Sequence, residues 1–312
     1  MLKKTLSAVL AAMAVIGCNE KNLEMPEKTT GEKIQLTVKI PEEVTKVTGT
    51  PTDGKVNDLQ VFVFDRNGVY ETSSHGTGAV LAMTCTSGEK QVVALVNAPV
   101  ENGVNNIAEL RARTVDLKDC AAGHIPMYGE ATHLLTASAS ISLQVERIVS
   151  KVAVGKVETA FELDQHKALP FEIKAIYLVN AAGEKAYLDS NVSSFWYNKG
   201  QFVEDTSPEF LHDYVTDGVV TEGTPYTNQH YFYCFPNYTA TKTRLVVEAQ
   251  IGGYTYYYPI TLNTLEHNTS YTYNLTITRL GSDSPDVPVE EGAVEFTMVV
   301  KRWTEHDVDE VI

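Results

Sequence analysis

Cys18 carries the most specific chemistry in the chain. It closes Val15-Ile16-Gly17-Cys18, behind the basic start Lys3-Lys4 and an apolar run from Leu6 to Ile16. A basic start, a short apolar run and a small residue at the junction are the layout of a cleavable secretory signal. The run is too short to span a bilayer. A thiol directly after the small residue can take a diacylglycerol, so the mature chain is expected to begin at a lipid-bearing Cys18, tethered to a membrane by acyl chains. The second position with chemistry is the peptide bond after Lys46. Pro41-Glu42-Glu43-Val44-Thr45-Lys46-Val47-Thr48-Gly49 reads as an exposed stretch with one basic residue. A protease that cuts after Lys46 would leave Val47 as the new N-terminus.

Elsewhere the reactive residue types are not arranged for catalysis. The sequence has no GxSxG elbow, no phosphate-cradling glycine loop and no HExxH. His124 and His133 flank Pro126-Met127-Tyr128-Gly129-Glu130, a separation unlike that of metal ligands. Asp65-Arg66-Asn67-Gly68 starts like a calcium loop but lacks the distal bidentate Glu. It reads better as a hairpin turn between Leu59–Phe64 and Val69-Tyr70. No enzyme, metal or cofactor is therefore expected. Besides Cys18 there are Cys85, Cys120 and Cys234, which allow at most one internal bridge, and Cys85–Cys120 is one such pairing. Cys234, inside Tyr231-Phe232-Tyr233-Cys234-Phe235, reads as a small core hydrophobe. A net charge of −15 argues against nucleic acid or anionic headgroups as partners.

The elements that must position these residues are almost all strands. Ile34, Leu36, Val38 and Ile40 alternate with polar residues until Pro41 stops the run. Leu59–Phe64 and Gln91–Asn97 read as strands buried on both faces, and 141–158 reads as one long strand or two. One short helix is predicted near 105–113, with Asn105 or Asn106 as its cap. A second series starts at Phe171–Tyr177 and resumes at 230–235, 244–251, 254–260 and 271–279. Rows of tyrosines on the last two strands suit a sandwich core or cross-strand pairing. The expected fold is all-β, two β-sandwich domains with the short helix in the first. The expected limits are signal 1–18, spacer 19–32, first domain 33–165 with a removable strand 33–40, second domain 166–280, and linker with terminal strand 281–312. The gap near 160–170 marks the boundary.

The first and last strands match each other. Val294, Phe296, Met298 and Val300 present four apolar side chains on one face, as do Ile34, Leu36, Val38 and Ile40. If cleavage after Lys46 removes the first strand, it leaves an apolar groove that the last strand of another copy can fill by strand addition. Burying four such side chains contributes roughly 6–12 kcal/mol gross at about 1.5–3 kcal/mol each. A head-to-tail contact of this kind does not close and propagates into a fibre. The alternative is that both strands pair permanently within their own domains.

These features together resemble the major fimbrial subunit (fimbrillin) family of Bacteroidales. The resemblance rests on the Cys18 junction and the early strand followed by a basic residue. It also rests on Lys55–Phe64 (KVNDLQVFVF), Val93–Ala98 (VALVNA), Pro126–Glu130 (PMYGE), Val145–Val152 (VERIVSKV), His267–Tyr271 (HNTSY), Gly281–Asp286 (GSDSPD) and Lys301–Thr304 (KRWT). It implies two transthyretin-like sandwiches and export as an outer-membrane lipoprotein. It further implies removal of lipid and first strand by a surface trypsin-like protease, and a pilus built from copies joined through their last strands. In the best-known members cleavage follows an arginine; here Lys46 stands at the matching position, which calls for a protease that accepts lysine. Tip or anchor subunits of a fimbria are alternatives within the family. A surface glycan-binding lipoprotein using Trp196 and Tyr197 is the alternative outside it.

Overall fold

The computed structural model describes residues 31–41, 52–188, 193–263, 265–287 and 294–302. Strand β1 (Lys33–Lys39) is followed by β2 (Asp58–Asp65), β3 (Tyr70–Thr77), β4 (Val80–Thr86) and β5 (Gly88–Val96). After helix α1 (Ile107–Ala112) come β6 (Thr114–Asp116), β7 (Met127–Leu135), β8 (Ala139–Ser142), β9 (Glu146–Arg147) and β10 (Ser150–Thr159). A helical turn α2 (Asp164–Lys167), absent from the sequence expectation, leads into β11 (Phe171–Val179). The irregular stretch beyond holds β12 (Ala181–Ala182), β13 (Glu184–Ala186), β14 (Trp196–Tyr197), β15 (His212–Tyr214) and β16 (Val219–Val220). The chain finishes with β17 (His230–Cys234), β18 (Arg244–Ile251), β19 (Tyr254–Thr261), β20 (Thr269–Ile277) and β21 (Val294–Arg302).

These strands build two β-sandwiches. In the first, the sheet β3-β2-β5-β7-β9 faces the sheet β4-β1-β8. The apolar run Val61–Phe64 of β2 has a physical reason, because both faces are covered. Val61 and Val63 point to the core shared with β1, while Phe62 and Phe64 point to the other side, against Ile107 and Leu110 of α1. Asn106 caps α1 by accepting from the Glu109 N–H at 2.9 Å. The β2–β3 turn is held by the Asp65 carboxylate, which accepts from the N–H groups of Asn67 at 2.8 Å and Val69 at 2.9 Å.

The second sandwich pairs the sheet β17-β10-β20-β21 with the sheet β15-β11-β18-β19, β16 adding to β11. Its core takes Tyr271, Tyr273, Leu275 and Ile277 from β20, all 4% exposed or less. On β19 the tyrosine row runs from the core to solvent: Tyr258 is 0% exposed and Tyr254 73%.

One strand lies elsewhere than the sequence expectation put it. Residues 150–159, read there as part of the first unit, run parallel to β20 and antiparallel to β17. Val152, Val154 and Val157 fill the same core as β20. The last strand paired within the first sandwich is β9, so the chain changes sandwich between Arg147 and Ser150, ahead of the 160–170 gap. Alternation marks a strand but carries no information on its partner.

Candidate strand-exchange site

The four apolar residues of the first strand do converge on one core. β1 lies between two neighbours, antiparallel to β4 over its whole length and parallel to β8 from Leu36 to Lys39. Ile34, Leu36, Val38 and Ile40 are 6%, 0%, 0% and 4% exposed. They pack on Val61 and Val63 of β2, Val92 and Ala94 of β5, and Met83 and Cys85 of β4. Backbone bonds extend past both strand ends, Ile40 N to Ala79 O at 2.9 Å and Ser87 N to Glu32 O at 2.7 Å. Removing β1 would bare this apolar trough together with the ladder groups of 80–86 and 139–142. A replacement that runs as β1 does would restore the antiparallel ladder with β4 and the parallel one with β8.

β21 has the opposite character. Its register places Val294, Phe296, Met298 and Val300 across from Ile277, Leu275, Tyr273 and Tyr271. Cross-strand partners share a face, so the four point to the core side of the sheet. β21 ends that sheet, however, and the second sandwich does not reach beneath it. Phe296, Met298 and Val300 are 48%, 44% and 49% exposed, and Val299 on the opposite face is 45% exposed. Phe296 touches the Tyr273 ring, centroids 5.6 Å apart. Among the described residues no strand pairs with the outer edge of β21. A long apolar edge strand of this kind is a template for another chain. The strand is held at home by its ladder to β20 and by little burial.

The start of the 281–292 linker read from the sequence is tied to the second sandwich. Ser282 pairs with Tyr257 on the outer edge of β19, its N–H donating at 3.0 Å and its carbonyl accepting at 2.9 Å. Arg244 then holds Asp286 through Nη2 to Oδ1 at 2.6 Å and Nη1 to the carbonyl at 3.1 Å. Sequence reasoning missed these anchors, because Gly-Ser-Asp-Ser-Pro-Asp has the composition of a free linker.

Cys18, Lys46 and Val47 lie outside the described residues. The remaining candidates are structural. His124 lies 3.6 Å from Asp58, and no group of three metal-ligating side chains forms among the described residues. Cys85 and Cys120 are unbridged and sit in different cores, so the Cys85–Cys120 pairing is not made. Cys234 is a buried free thiol, its pKa pushed up to about 12 by burial. Trp196 and Tyr197 form β14 against β12 and pack half-buried on the second core, with Tyr197 OH donating to Asp116 at 3.1 Å. Neither stands free as a stacking platform.

A two-sandwich, all-β subunit with a buried first strand and an exposed, apolar last strand is the class that this geometry defines. Residues 14–159 match the family model described as the major fimbrial subunit protein (FimA), and the resemblance read from the sequence is shown over that span. Over that span the chain is similar to the fimbrial subunit family. No curated protein matches the sequence. Among solved structures, a candidate cell adhesion protein from Bacteroides eggerthii is similar at TM-score 0.69 and 21% identity, covering 88% of this chain and 97% of the other. A fimbrilin (FimA) from Porphyromonas gingivalis W83 is similar at TM-score 0.64 and 17% identity, covering 86% and 97%. The tip fimbrial protein Mfa3 from Porphyromonas gingivalis, with a C-terminal truncation, is similar at TM-score 0.55 and 13% identity, covering 87% and 100%. At these identities the likeness is one of fold.

Proposed function

We propose that this chain is a pilus shaft subunit that polymerises by donating β21 into the place of β1 in the next copy. It is exported to the cell surface as an outer-membrane lipoprotein on Cys18. A surface trypsin-like protease that accepts lysine then cuts between Lys46 and Val47, freeing the lipid and residues 19–46. The two sandwiches correspond to domains at 33–148 and 149–287, with 288–312 as the donor arm. The supporting observation is the contrast in burial between two strands of the same pattern. Ile34, Leu36, Val38 and Ile40 fill a trough, while Phe296, Met298 and Val300 stand exposed on a strand of the same alternation. Exchange would cover both the bared trough and the exposed face, and the same partners on every copy would repeat the contact along a fibre.

Mass spectrometry of fimbriae sheared from the cell tests this reading. A start at Val47 is expected, with deletion of 294–312 abolishing fibres and leaving soluble subunits. A lipidated Cys18 as the only species would contradict it.

A further inference from the structure

Asp53 sits in a turn yet is buried. Pro51-Thr52-Asp53-Gly54-Lys55 has a surface composition, and Lys55 N closes the turn onto Thr52 O at 3.1 Å. Asp53 is nevertheless 1% exposed. Its carboxylate accepts from Lys151 Nζ at 2.9 Å and from Tyr233 OH at 2.5 Å. Its carbonyl accepts from Arg147 Nε at 2.9 Å, and Arg147, 0% exposed, donates through Nη1 to Asn268 Oδ1 at 3.1 Å. Lys151 lies on β10 and Tyr233 on β17, so the segment that leads into β2 of the first sandwich is fastened to the second. Asn97 continues the seam, donating to Lys55 O at 2.7 Å and accepting from Asn57 N at 2.9 Å.

We infer that Asp53 is a positioning residue that fixes where the removable part of the chain ends. It withholds the Lys55–Val56 bond from a trypsin-like protease and keeps the chain from Thr52 onward on the body when β1 leaves. The inference rests on the cleavage reading above. Lys55 has an exposed side chain and by residue type alone would compete with Lys46 for the same enzyme. A protease, however, needs several residues drawn out on both sides of the bond, which folded backbone supplies only by opening locally. Drawing out 52–58 would break the bonds from Lys151 Nζ to the Asp53 carboxylate and from Arg147 Nε to the Asp53 carbonyl, and losing hydrogen bonds to buried charged groups is costly. The bond after Lys55 is thereby shielded although its lysine is visible. Maturation by an enzyme with simple basic specificity then has one outcome at this end of the fold.

The test is limited trypsin digestion of the full-length precursor, with N-termini followed over time by mass spectrometry. In the wild type the Val47 start is expected to accumulate, with the Val56 start appearing at least about tenfold more slowly. Asp53→Asn and Tyr233→Phe should each raise cleavage after Lys55 by about tenfold, the change expected on losing a hydrogen bond to a charged group when cleavage tracks the open population. Lys90, 1% exposed in β5, reports global unfolding in the same digest and should stay uncut. Equal rates after Lys46 and Lys55 in the wild type would overturn the lock and leave the cleavage reading standing. A wild type resistant at both sites would count against cleavage after Lys46, and the two variants would then decide the lock through Lys55. If Asp53→Asn exposes Lys90 as well, Tyr233→Phe decides, and unchanged cleavage after Lys55 in a folded variant would overturn the inference.

Discussion

Ile34 lies directly opposite Cys85 in the antiparallel register of β1 and β4, and both side chains are buried in the first core. Opposed side chains in such a ladder have Cβ atoms about 4.5–5.5 Å apart. Whatever side chain takes the place of Ile34 therefore comes to rest beside a thiol. That thiol is quiet in the isolated subunit, because burial raises its pKa above the ordinary cysteine value.

The grip of the trough on β1 is measurable in the uncleaved chain. Leu36 is 0% exposed at the middle of the strand. Leu36→Ala should cost about 2–5 kcal/mol, the range for a buried leucine that leaves a cavity. Urea melts of the precursor check the loss, and amide exchange across 33–39 should speed up in the variant.

Phe296 should behave in the reverse way. It is 48% exposed and touches mainly Tyr273, so Phe296→Asp should shift the subunit's own stability by less than about 1 kcal/mol. Fibre formation should be lost, because in the trough the same carboxylate would be buried without a partner. Melting temperature and fibre yield, read on one preparation, separate the two effects.

The seam between the sandwiches has a pH dependence of known sign. His267 Nε2 lies 3.2 Å from the Glu146 carboxylate, and this hydrogen bond holds the Glu146 pKa below its ordinary 4.5. A depressed folded pKa means stability that is fully present above the unfolded value and is lost as pH falls through the folded one. Wild type should therefore be more stable than Glu146→Gln at pH 6, with the gap closing below about pH 4. Both groups are well exposed, so the gap should be small. Denaturant midpoints of the two proteins at both pH values provide the check.

The sequence displayed the two matching strands clearly and their surroundings poorly. Ile34–Ile40 and Val294–Val300 are legible because a strand buried on one face repeats every second residue, and that period survives whatever the partners are. The opposite burial of the two strands was not legible, since one is central and the other at an edge, a fact of sheet order alone. The partners of β10 were hidden for the same reason. Asp53, Arg147 and Lys151 were passed over because charged residues are ordinarily at the surface, and no local pattern marks a buried trio drawn from positions far apart in the chain. The anchors at Ser282 and Asp286 were hidden by a loop composition that is shared with free linkers.

The central claim is that β21 of one copy occupies the place of β1 in the next, and Cys85 gives it a direct test. Val294→Cys, Phe296→Cys, Met298→Cys and Val300→Cys would each be assembled into fibres, oxidised and digested for disulfide mapping. The exchange predicts an intermolecular bridge to Cys85 from the one position that takes the place of Ile34, and none from unassembled subunits. Fibres that form normally but yield no bridge to Cys85 from any of the four would contradict it.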